Sequence, residues 1–315
     1  MSHDTVRIGT RTSLLAMAQA RLVAAALREV AGCDVELVPI VTRGDRLSGP
    51  LRSAGGKGLF TAELEAALRE GRVDLAVHSA KDLPAVMAAD LVIAAVPLRA
   101  DARDALVTCG GLSLAELPPG AVVGTGSRRR GMQILLARPD VRLAEFRGNV
   151  DTRVRKVLEE REVDAAVLAW AGLERSGLSL SRAVCCRVLE LETCIPAAGQ
   201  GALAVQAAVG NGRAAALAAR LDDADSRSAL EAERAVVSAM GGDCHSCLAV
   251  HARRADGAAV HGTDGAAGWE IHFLAARPDF SSPYRARVTG VSAAAAAAVL
   301  MDQLRCDRVR EIVGG

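Results

Sequence analysis

Residues 73–84 read Val73-Asp-Leu-Ala-Val-His-Ser-Ala-Lys-Asp-Leu-Pro84, an apolar run that ends in a polar cluster. The run has the length and composition of a buried β-strand, and it follows a helical pattern over residues 62–70. Ligands of open α/β sheets bind beyond the carboxyl ends of strands. The cluster that begins at His78 therefore marks one sheet edge as a candidate ligand site.

The same alternation of short strands and helical patterns continues to about residue 195, which indicates βαβ units and the α/β class. A charged connector at residues 99–103 separates a first predicted domain, residues 1–99, from a second, residues 104–194. From residue 222 the pattern changes and predicts a smaller α+β domain over residues 222–315. Strands are predicted there at 248–253, 258–262, 269–275 and 285–291.

Composition limits the range of functions. The 315 residues include 38 basic and 37 acidic side chains, so no global field attracts nucleic acid or an anionic membrane. Aromatic residues make up only 2%, which removes the stacking platforms of single-strand binders. No targeting signal is visible and no apolar run is long enough to span a bilayer. We expect a cytoplasmic protein with no nucleic-acid or membrane partner.

The densest basic stretch spans residues 128–156, where nine Lys or Arg residues stand against three acidic ones. At its start, Gly124-Thr-Gly-Ser-Arg-Arg-Arg130 combines a glycine-rich turn with arginines at a helix N-terminus, which suits anions. Arg147-Gly-Asn-Val-Asp-Thr-Arg153 repeats the pattern after the next strand. Guanidinium groups pair with carboxylate or phosphate, so the expected ligand is polyanionic. The alternative is a solvated basic face, as for most charge runs.

Two loops of the first domain carry further cations. Gly9-Thr-Arg-Thr-Ser13 places an arginine and a serine where a strand ends and a helix begins. Gly55-Gly-Lys-Gly-Leu-Phe60 has a central lysine but lacks the GK[ST] ending of a nucleotide P-loop. A flexible loop is the alternative for this second segment.

Asp82 and the segment Cys244-His-Ser-Cys247 contain the candidate reactive groups. A carboxylate directly after a strand could stabilise a developing cation or pass a proton, although a turn residue or helix cap gives the same pattern. The cysteine pair fits a redox pair, half of a zinc site, a single nucleophilic thiol or two buried side chains. No second ligand pair lies nearby, so we predict no metal site.

Six motifs, taken together and in order along nearly the whole chain, resemble the porphobilinogen deaminase (hydroxymethylbilane synthase) family. They are Gly9-Thr-Arg-Thr-Ser13, Gly55-Gly-Lys-Gly-Leu-Phe60, His78-Ser-Ala-Lys-Asp-Leu-Pro84, Gly124-Thr-Gly-Ser127 with Arg129 and Arg130, Arg147-Gly-Asn-Val150 with Arg153, and Pro196-Ala-Ala-Gly-Gln-Gly-Ala202. The resemblance implies two α/β lobes like those of periplasmic binding proteins, with residues 196–217 returning to the first lobe. It also implies a third domain that carries a cofactor loop.

The activity implied by the resemblance is that of a transferase in tetrapyrrole (haem) biosynthesis. The family joins four porphobilinogen units head to tail, with release of ammonia, to give hydroxymethylbilane. The chain grows on a dipyrromethane cofactor that a thioether links to one cysteine. Every pyrrole brings an acetate and a propionate, so the growing chain requires many cationic partners. A monomer is usual for the family.

Position in the motifs implies a role for each candidate residue. Asp82 would stabilise positive charge and assist proton transfer, and Cys244 would carry the dipyrromethane. The implied cofactor-binding residues are Ser13, Lys57, Lys81, Ser127, Arg129 and Arg130. The implied substrate-binding residues are Arg11, Arg147, Arg153, Arg175 and Gln200.

The sequence departs from the family's pattern around the anchor cysteine. Asp243 separates Gly242 from Cys244, and Cys247 stands where proline is expected. Alignment from the following strand favours Cys244 as the anchor, whereas counting from Gly242 would place Asp243 there, and aspartate cannot form the thioether. Cys247 is the rival anchor. Three further departures bear on carboxylate contacts: Gly126, Arg128 and Glu174.

Two other functions fit parts of the sequence. A non-catalytic two-lobed binding protein for organic anions would share the fold and the arginines, but would have no use for Asp82 together with a reactive Cys244. A C-x-x-C thiol oxidoreductase or zinc module would leave the basic cluster unexplained.

Overall fold

Two stretches of chain that are distant in sequence, Met1–Ala100 and Ala202–Arg227, pack together in what we call unit one. Unit two consists of Asp101–Gly201 and Ser228–Gly315. The computed structural model describes residues 5–46, 58–178, 185–241, 246–259, 267–307, 309 and 311. The boundaries of the three predicted domains stay predictions.

Strands and helices alternate through most of the chain, which confirms the predicted α/β class. The strands are β1 (Val6–Arg11), β2 (Val35–Ile40), β3 (Leu75–Ser79), β4 (Leu91–Ala95), β5 (Asp104–Thr108), β6 (Val122–Gly124), β7 (Arg142–Ala144), β8 (Ala165–Ala169), β9 (Cys185–Val188), β10 (Leu203–Ala208), β11 (Leu248–Ala259), β12 (Ala267–Ala275) and β13 (Tyr284–Gly290). The helices are α1 (Leu14–Ala31), α2 (Arg43–Arg46), α3 (Ala62–Arg69), α4 (Arg128–Ala137), α5 (Val150–Leu158), α6 (Trp170–Arg175), α7 (Gly212–Ala219), α8 (Ala224–Ala239) and α9 (Ala293–Cys306).

Unit one contains a five-stranded sheet in the order β2-β1-β3-β10-β4. β1 runs parallel to β2 and β3, whereas β10 runs antiparallel to β3 and β4. α1 packs on one face, where Leu27 joins Ile8 in the core, and Leu64 of α3 belongs to a second cluster with β3. Because β1 and β3 are parallel, their carboxyl ends, Arg11 and Ser79, lie at the same sheet edge.

Local signals set the limits of α1. Its N-cap is Ser13, whose side chain accepts a hydrogen bond from the backbone of Ala16, and its C-cap Gly32 has a left-handed φ of 62°. Four buried positions at helical spacing, Ala20, Val23, Ala24 and Leu27, face the sheet. These signals are all visible in the sequence, which explains why the predicted helix matches the observed one closely.

Unit two contains two sheets. In the first, ordered β7-β6-β8-β5-β9, β6 runs parallel to β7 and β8, while β5 runs antiparallel to β8 and β9. The second, β11-β12-β13, is antiparallel, and α8 and α9 contribute to the core around Ile271 and Phe273. Met132 and Ile195 share a small cluster with Cys247 beside this second sheet.

Two strand predictions need correction. The predicted strands at 248–253 and 258–262 form one strand, β11, as far as Ala259, and residues 260–262 lie outside the described chain. Pairing with β12 shifts register between Arg254 and Ala259, so the break predicted between the two strands is an irregularity within one strand. β10 was not predicted as a strand, because its sequence is rich in alanine, which has weak β-propensity.

Among the described residues, none of the helices has both the length and the apolar character of a membrane span.

Candidate functional site

Four predicted site residues lie where β1 and β3 of unit one end: Arg11, Ser13, Lys81 and Asp82. β1 ends at Arg11, and α1 begins directly after Ser13. A single 3-10 turn, Ala80–Asp82, follows β3, and the backbone N–H of Ala80 donates to the carbonyl of Ala202 at 3.0 Å. The parallel arrangement of β1 and β3 therefore gathers these four residues at one sheet edge.

Asp82 is the exposed end of that turn. Ala80, two residues earlier, is buried and anchors the turn, while the Asp82 side chain is exposed and has no hydrogen-bond or ion-pair partner among the described residues. The sequence left a turn residue and a reactive carboxylate as alternatives. The structure places a turn residue here whose carboxylate is accessible to a ligand.

Ser13 and Ser127 are both helix N-caps. The Ser13 hydroxyl accepts a hydrogen bond from the backbone of Ala16 at 3.3 Å, and the Ser127 hydroxyl accepts one from the backbone of Arg130 at 3.5 Å. Helix N-termini attract anions, because their N–H groups point outward and the helix dipole is positive there. Each serine thus has a structural role at a place that also suits a carboxylate.

Arg11 is engaged by a carboxylate of the chain itself. Its Nη2 lies 2.5 Å from Oδ1 of Asp45, and its guanidinium carbon lies 4.2 Å from the centroid of the Phe60 ring. Burial would raise the pKa of Asp45, but hydrogen bonds from Arg11 and from Thr42 hold it below its usual value. Asp45 was missed in the sequence because 34 residues separate it from Arg11.

His78, the first residue of the polar cluster, is buried. Its Nε2 lies 3.0 Å from Oε1 of Gln206, whose amide nitrogen in turn lies 3.4 Å from Oε1 of Glu65. Burial, with a smaller contribution from the positive charge of Arg11, lowers the pKa of His78 to about 4. The imidazole is therefore neutral at physiological pH and belongs to the interior beneath the strand ends.

In unit two, the glycine-rich turn before α4 is closely packed. A Cβ added to Gly124, at the end of β6, would lie 2.6 Å from Cγ of Phe146, so only glycine fits between β6 and this ring. The chain then passes Ser127 and enters α4, whose first turn carries Arg129 and Arg130. Both arginines are buried, at 5% and 7% exposure, so they are not part of a solvated basic face.

Asp104 holds both of these arginines. Nη1 of Arg129 lies 2.8 Å from Oδ2 of Asp104, while Nε and Nη2 of Arg130 donate to Oδ1 at 3.0 and 2.7 Å. Asp104 is fully buried at the start of β5. Burial alone would raise its pKa, but the two guanidinium groups hold the pKa of Asp104 well below its usual value. The sequence gave no signal for this carboxylate.

Gln200 and Cys194 complete the surroundings of Asp104. The Gln200 amide donates to Oδ1 of Asp104 at 2.8 Å and to the carbonyl of Ala102 at 2.7 Å. The Cys194 thiol lies 3.4 Å from Oδ2. Burial, and then the charge of Asp104, raises the pKa of Cys194 to about 12, so this thiol is neutral. Predicted site residues Arg129, Arg130 and Gln200 therefore meet on one carboxylate.

Three further predicted arginines are partly buried in unit two. Arg147 donates to Oε1 of Glu145 at 2.6 Å, and Arg153 donates to the carbonyl of Gly148 at 2.7 Å. Burial, with repulsion from Arg130 and Arg147, lowers the pKa of Arg153 to about 10. Arg175 donates to the carbonyl of Gly201, next to Gln200, and burial lowers its pKa. Arg153 forms no ion pair among the described residues, although the charge of Glu145 opposes part of this lowering of its pKa.

The rest of the basic stretch is balanced locally. Arg138 pairs with Asp140, Arg155 with Glu160 and Lys156 with Glu162. Glu160 and Glu162 lie beyond residue 156, which is why the count over 128–156 overstates the free positive charge. The solvated-face alternative thus describes Arg155, whereas Arg138 and Lys156 are half-buried within their ion pairs. Arg129 and Arg130 are buried, and Arg153 is half-buried.

Lys57 and Cys244 lie outside the described residues, so the structure does not place them. Cys247, the rival anchor, is described. It is 3% exposed in the cluster with Met132 and Ile195, and burial raises its pKa. A thiol in such surroundings is a poor nucleophile, because the thiolate is the reactive form.

Cations and a carboxylate gathered beyond strand ends in an α/β fold define a class: a protein that binds organic anions carrying carboxylates. A family model described as "Porphobilinogen deaminase, dipyromethane cofactor binding domain" matches residues 6–216. The porphobilinogen deaminase of Geobacillus kaustophilus is 42% identical over 302 residues, 94% of each chain. That of Roseiflexus castenholzii is 49% identical over 244 residues, 77% of this chain and 79% of the relative. The chain belongs to the porphobilinogen deaminase family, whose members are transferases, and the resemblance drawn from six motifs is confirmed.

Two solved structures are distantly similar to this chain. A double mutant of the BvgS VFT2 domain from Bordetella pertussis is 16% identical, covers 75% of this chain and 92% of its own, and has a TM-score of 0.43. The methionine-binding protein MetQ is 13% identical, covers 70% of this chain and 91% of its own, and has a TM-score of 0.45.

Proposed function

We propose that this chain joins four porphobilinogen units head to tail, with release of ammonia, and that Asp82 and Cys244 are its two chemically active residues. The observation that supports this assignment is the excess of positive charge beyond the strand ends of unit two, where Arg129 and Arg130 share the one buried carboxylate of Asp104 and the partly buried Arg153 forms no ion pair among the described residues. A product that gains an acetate and a propionate with each unit supplies the missing negative charge. We also propose a cytoplasmic monomer without a nucleic-acid partner.

The described residues fit the dipyrromethane cofactor of the family. Arg129 and Arg130 are buried with a single carboxylate between them, so an incoming carboxylate would balance their charge. The residues that would hold the cofactor are Ser13, Lys57, Lys81, Ser127, Arg129 and Arg130, with Cys244 as the covalent anchor. When bound, the dipyrromethane would supply the terminal pyrrole to which the first unit is added and the tether on which the chain then grows.

Substrate carboxylates are assigned to Arg11, Arg147, Arg153, Arg175 and Gln200. Arg153 is the best supported, because it is partly buried near other cations and forms no ion pair among the described residues. Arg11 is suited to a carboxylate in another way. Its present contact with Asp45 shows that the guanidinium group and the Phe60 ring already accommodate one.

Asp82 is proposed as the catalytic carboxylate. Positive charge develops on a pyrrole as ammonia leaves, and an exposed carboxylate on a short, anchored turn can stabilise that charge electrostatically. The same oxygen atoms can then accept the proton that the new bond displaces. The turn is held by the buried Ala80 and its hydrogen bond to Ala202, which limits how far the carboxylate can move.

Cys244 is favoured over Cys247 as the anchor. The buried Cys247 has a raised pKa and packs against apolar side chains, so it is poorly placed to attack an electrophile. Alignment from β11 also leads to Cys244.

Intact mass spectrometry of the purified, untreated protein tests this assignment. We expect the wild-type chain to carry an added mass of two linked pyrroles, the Cys244→Ser variant to lack it, and the matched Cys247→Ser variant to retain it. A wild-type chain of bare polypeptide mass, unchanged after incubation with porphobilinogen, would refute the proposed function. Loss of the added mass in Cys247→Ser alone would instead move the anchor to Cys247.

A further inference from the structure

Asp104 was not among the residues that the sequence pointed to, yet it contacts three of them, Arg129, Arg130 and Gln200. It lies at the first position of β5, a strand hydrogen-bonded on both sides by β8 and β9. Its backbone is therefore fixed, and its side chain is fully buried. A carboxylate in such a place is costly unless its partners compensate the loss of water.

Both oxygens of Asp104 are fully used. Oδ1 accepts from two nitrogens of Arg130 and from Gln200, and Oδ2 contacts Arg129 and Cys194. A carboxylate has about four acceptor positions, so no capacity remains for another donor. The group cannot rotate without breaking several of these contacts at once. Asp104 therefore fixes the orientation of both guanidinium groups.

The charges around Asp104 do not cancel. Two guanidinium groups face one carboxylate, and the neutral Cys194 thiol adds no charge, so one positive charge is left over. Nη1 of Arg130 and Nε of Arg129 have no acceptor among the residues that the structure describes. A buried pair with surplus positive charge and unused donors is suited to one anionic group of a ligand.

We propose that Asp104 is a positioning residue, which holds Arg129 and Arg130 side by side with a net charge of one, so that together they bind a single carboxylate of the enzyme-bound pyrrole chain. This inference rests on the proposed function, because the ligand is taken from it. Asp104 acts through the two arginines and does not touch the reacting atoms. By fixing the two arginines, Asp104 determines the position of the growing end of the pyrrole chain.

This role predicts an effect on kcat rather than on KM. A displacement of about 1 Å in a bound reactant can cost about 10²-fold in rate. Incoming porphobilinogen is assigned to other arginines, so its half-saturating concentration depends little on Asp104. An ion pair that only stabilised the fold would lower the amount of folded enzyme and leave the kcat of each folded, loaded molecule unchanged.

The test compares Asp104→Asn, which removes the charge at constant size, with Asp104→Glu, which keeps the charge but moves it by one methylene. The matched control is Asp74→Asn, because Asp74 also accepts from Nε and Nη2 of an arginine, Arg7, but lies in the loop before β3. For each protein, intact mass gives the fraction that carries the two-pyrrole adduct. Steady-state kinetics with porphobilinogen, normalised to that fraction, then give kcat and KM.

We expect kcat per loaded molecule to fall about 10- to 100-fold in Asp104→Asn and about 10-fold in Asp104→Glu, with KM within about threefold of wild type. Asp74→Asn should match wild type in both. Wild-type kcat in a loaded Asp104 variant, or a raised KM at unchanged kcat, would overturn the proposal. If Asp104→Asn does not fold, Asp104→Glu decides by the same criterion. Absence of the adduct from the wild type would count against the proposed function, not against this inference.

Discussion

At the strand ends of unit one, Asp82 stands exposed on a single turn, whereas at those of unit two Arg129 and Arg130 are buried against Asp104. The first arrangement leaves a carboxylate accessible on an anchored turn, with no side-chain partner among the described residues. The second fixes two cations with a network of hydrogen bonds. The contrast matches the two roles proposed for these residues, since a group that handles protons and transient charge must reach the reacting atoms, while a group that binds must be held in advance.

Arg11 combines features of both edges. It lies at the exposed edge of unit one, yet its guanidinium group is ion-paired with Asp45 and covered by Phe60. A ligand carboxylate that binds Arg11 must share it with Asp45 or displace Asp45, whereas one that binds Arg129 and Arg130 finds Asp104 as a permanent partner. The two sheet edges thus differ in the element that holds the arginine's partner. Asp104 lies in the strand β5, whereas Asp45 lies in the four-residue helix α2.

The largest effect is expected at Asp82. Asp82→Ala should keep the two-pyrrole adduct but lower kcat by about 10²- to 10⁴-fold, because the proposal spreads binding over many cations but assigns charge stabilisation and proton transfer to this one carboxylate. Product formation from porphobilinogen, measured on protein whose adduct has been quantified by mass, checks the prediction.

The control for that variant is Asp90→Ala. Asp90 belongs to the same unit and is also exposed, but its carboxylate pairs with Arg69. It should retain wild-type turnover. Near-normal turnover in Asp82→Ala itself would contradict the proposal that the sheet edge of unit one carries the chemistry while that of unit two binds the ligand.

A smaller effect is expected at Arg153. Arg153→Gln should lower kcat/KM by about 10- to 100-fold, which corresponds to the loss of about 1.5–3 kcal/mol for a hydrogen bond to a charged group. Because each added ring brings new carboxylates, the loss should fall on particular steps, so that partly elongated chains accumulate on the enzyme. Mass spectra of the protein after a single addition of porphobilinogen show these species directly.

Arg155→Gln is the matched control, since Arg155 lies two residues further along α5 but is exposed and paired with Glu160. It should accumulate no intermediates. Equal behaviour of the two variants would show that the inward and outward arginines of α5 do not differ in function.

The buried His78 gives a pH prediction. Its pKa is about 4 in the fold and about 6.5 when unfolded, so between these values the unfolded chain binds a proton that the folded chain does not. Stability is therefore complete above about pH 6.5 and is lost as the pH falls towards 4. Between pH 7.5 and 5 the wild type should lose about 2 kcal/mol more than His78→Gln, in which the side chain does not titrate.

Urea unfolding of both proteins at the two pH values measures this difference, and all other titrating groups cancel because both proteins share them. A pH dependence that is the same in the two proteins would mean that His78 is already solvated or that its protonated form finds a partner.

The sequence predicted the parts of the molecule that local signals determine. The cap and glycine of α1, the strand before His78 and the turn with Asp82 all depend on residues within a few positions of each other. Two features depend on distant residues and could not be predicted. Asp104 lies 26 residues before its partner Arg130, and β10 enters a sheet formed by the first hundred residues.

Dependence on distant residues also explains why the burial of the cations in residues 128–156 could not be predicted. Counting charges located the cluster of cations but not the direction of each side chain, because only the fold decides which of them are buried. Arg138 and Arg155 found acidic partners on the surface, while Arg129 and Arg130 found Asp104 in the interior. Sequence position alone does not distinguish the buried Arg130 from the half-buried Arg138 at the end of the same helix.

The smallest effect separates capping from ligand binding at Ser13 and Ser127. Replacement of an N-cap serine by alanine costs about 1 kcal/mol of stability, whereas glycine costs a few tenths. If the hydroxyls also bind carboxylates, alanine and glycine variants should raise KM or lower adduct content by the same few-fold, although their stabilities differ. If the serines only cap, activity should follow stability, and Ser127→Gly should resemble wild type. Denaturation midpoints and kinetic constants, measured for the alanine and glycine variants at both positions, distinguish the two cases. A larger kinetic effect at Ser127 than at Ser13 would place the tighter carboxylate contact in unit two, beside the fixed Arg129 and Arg130.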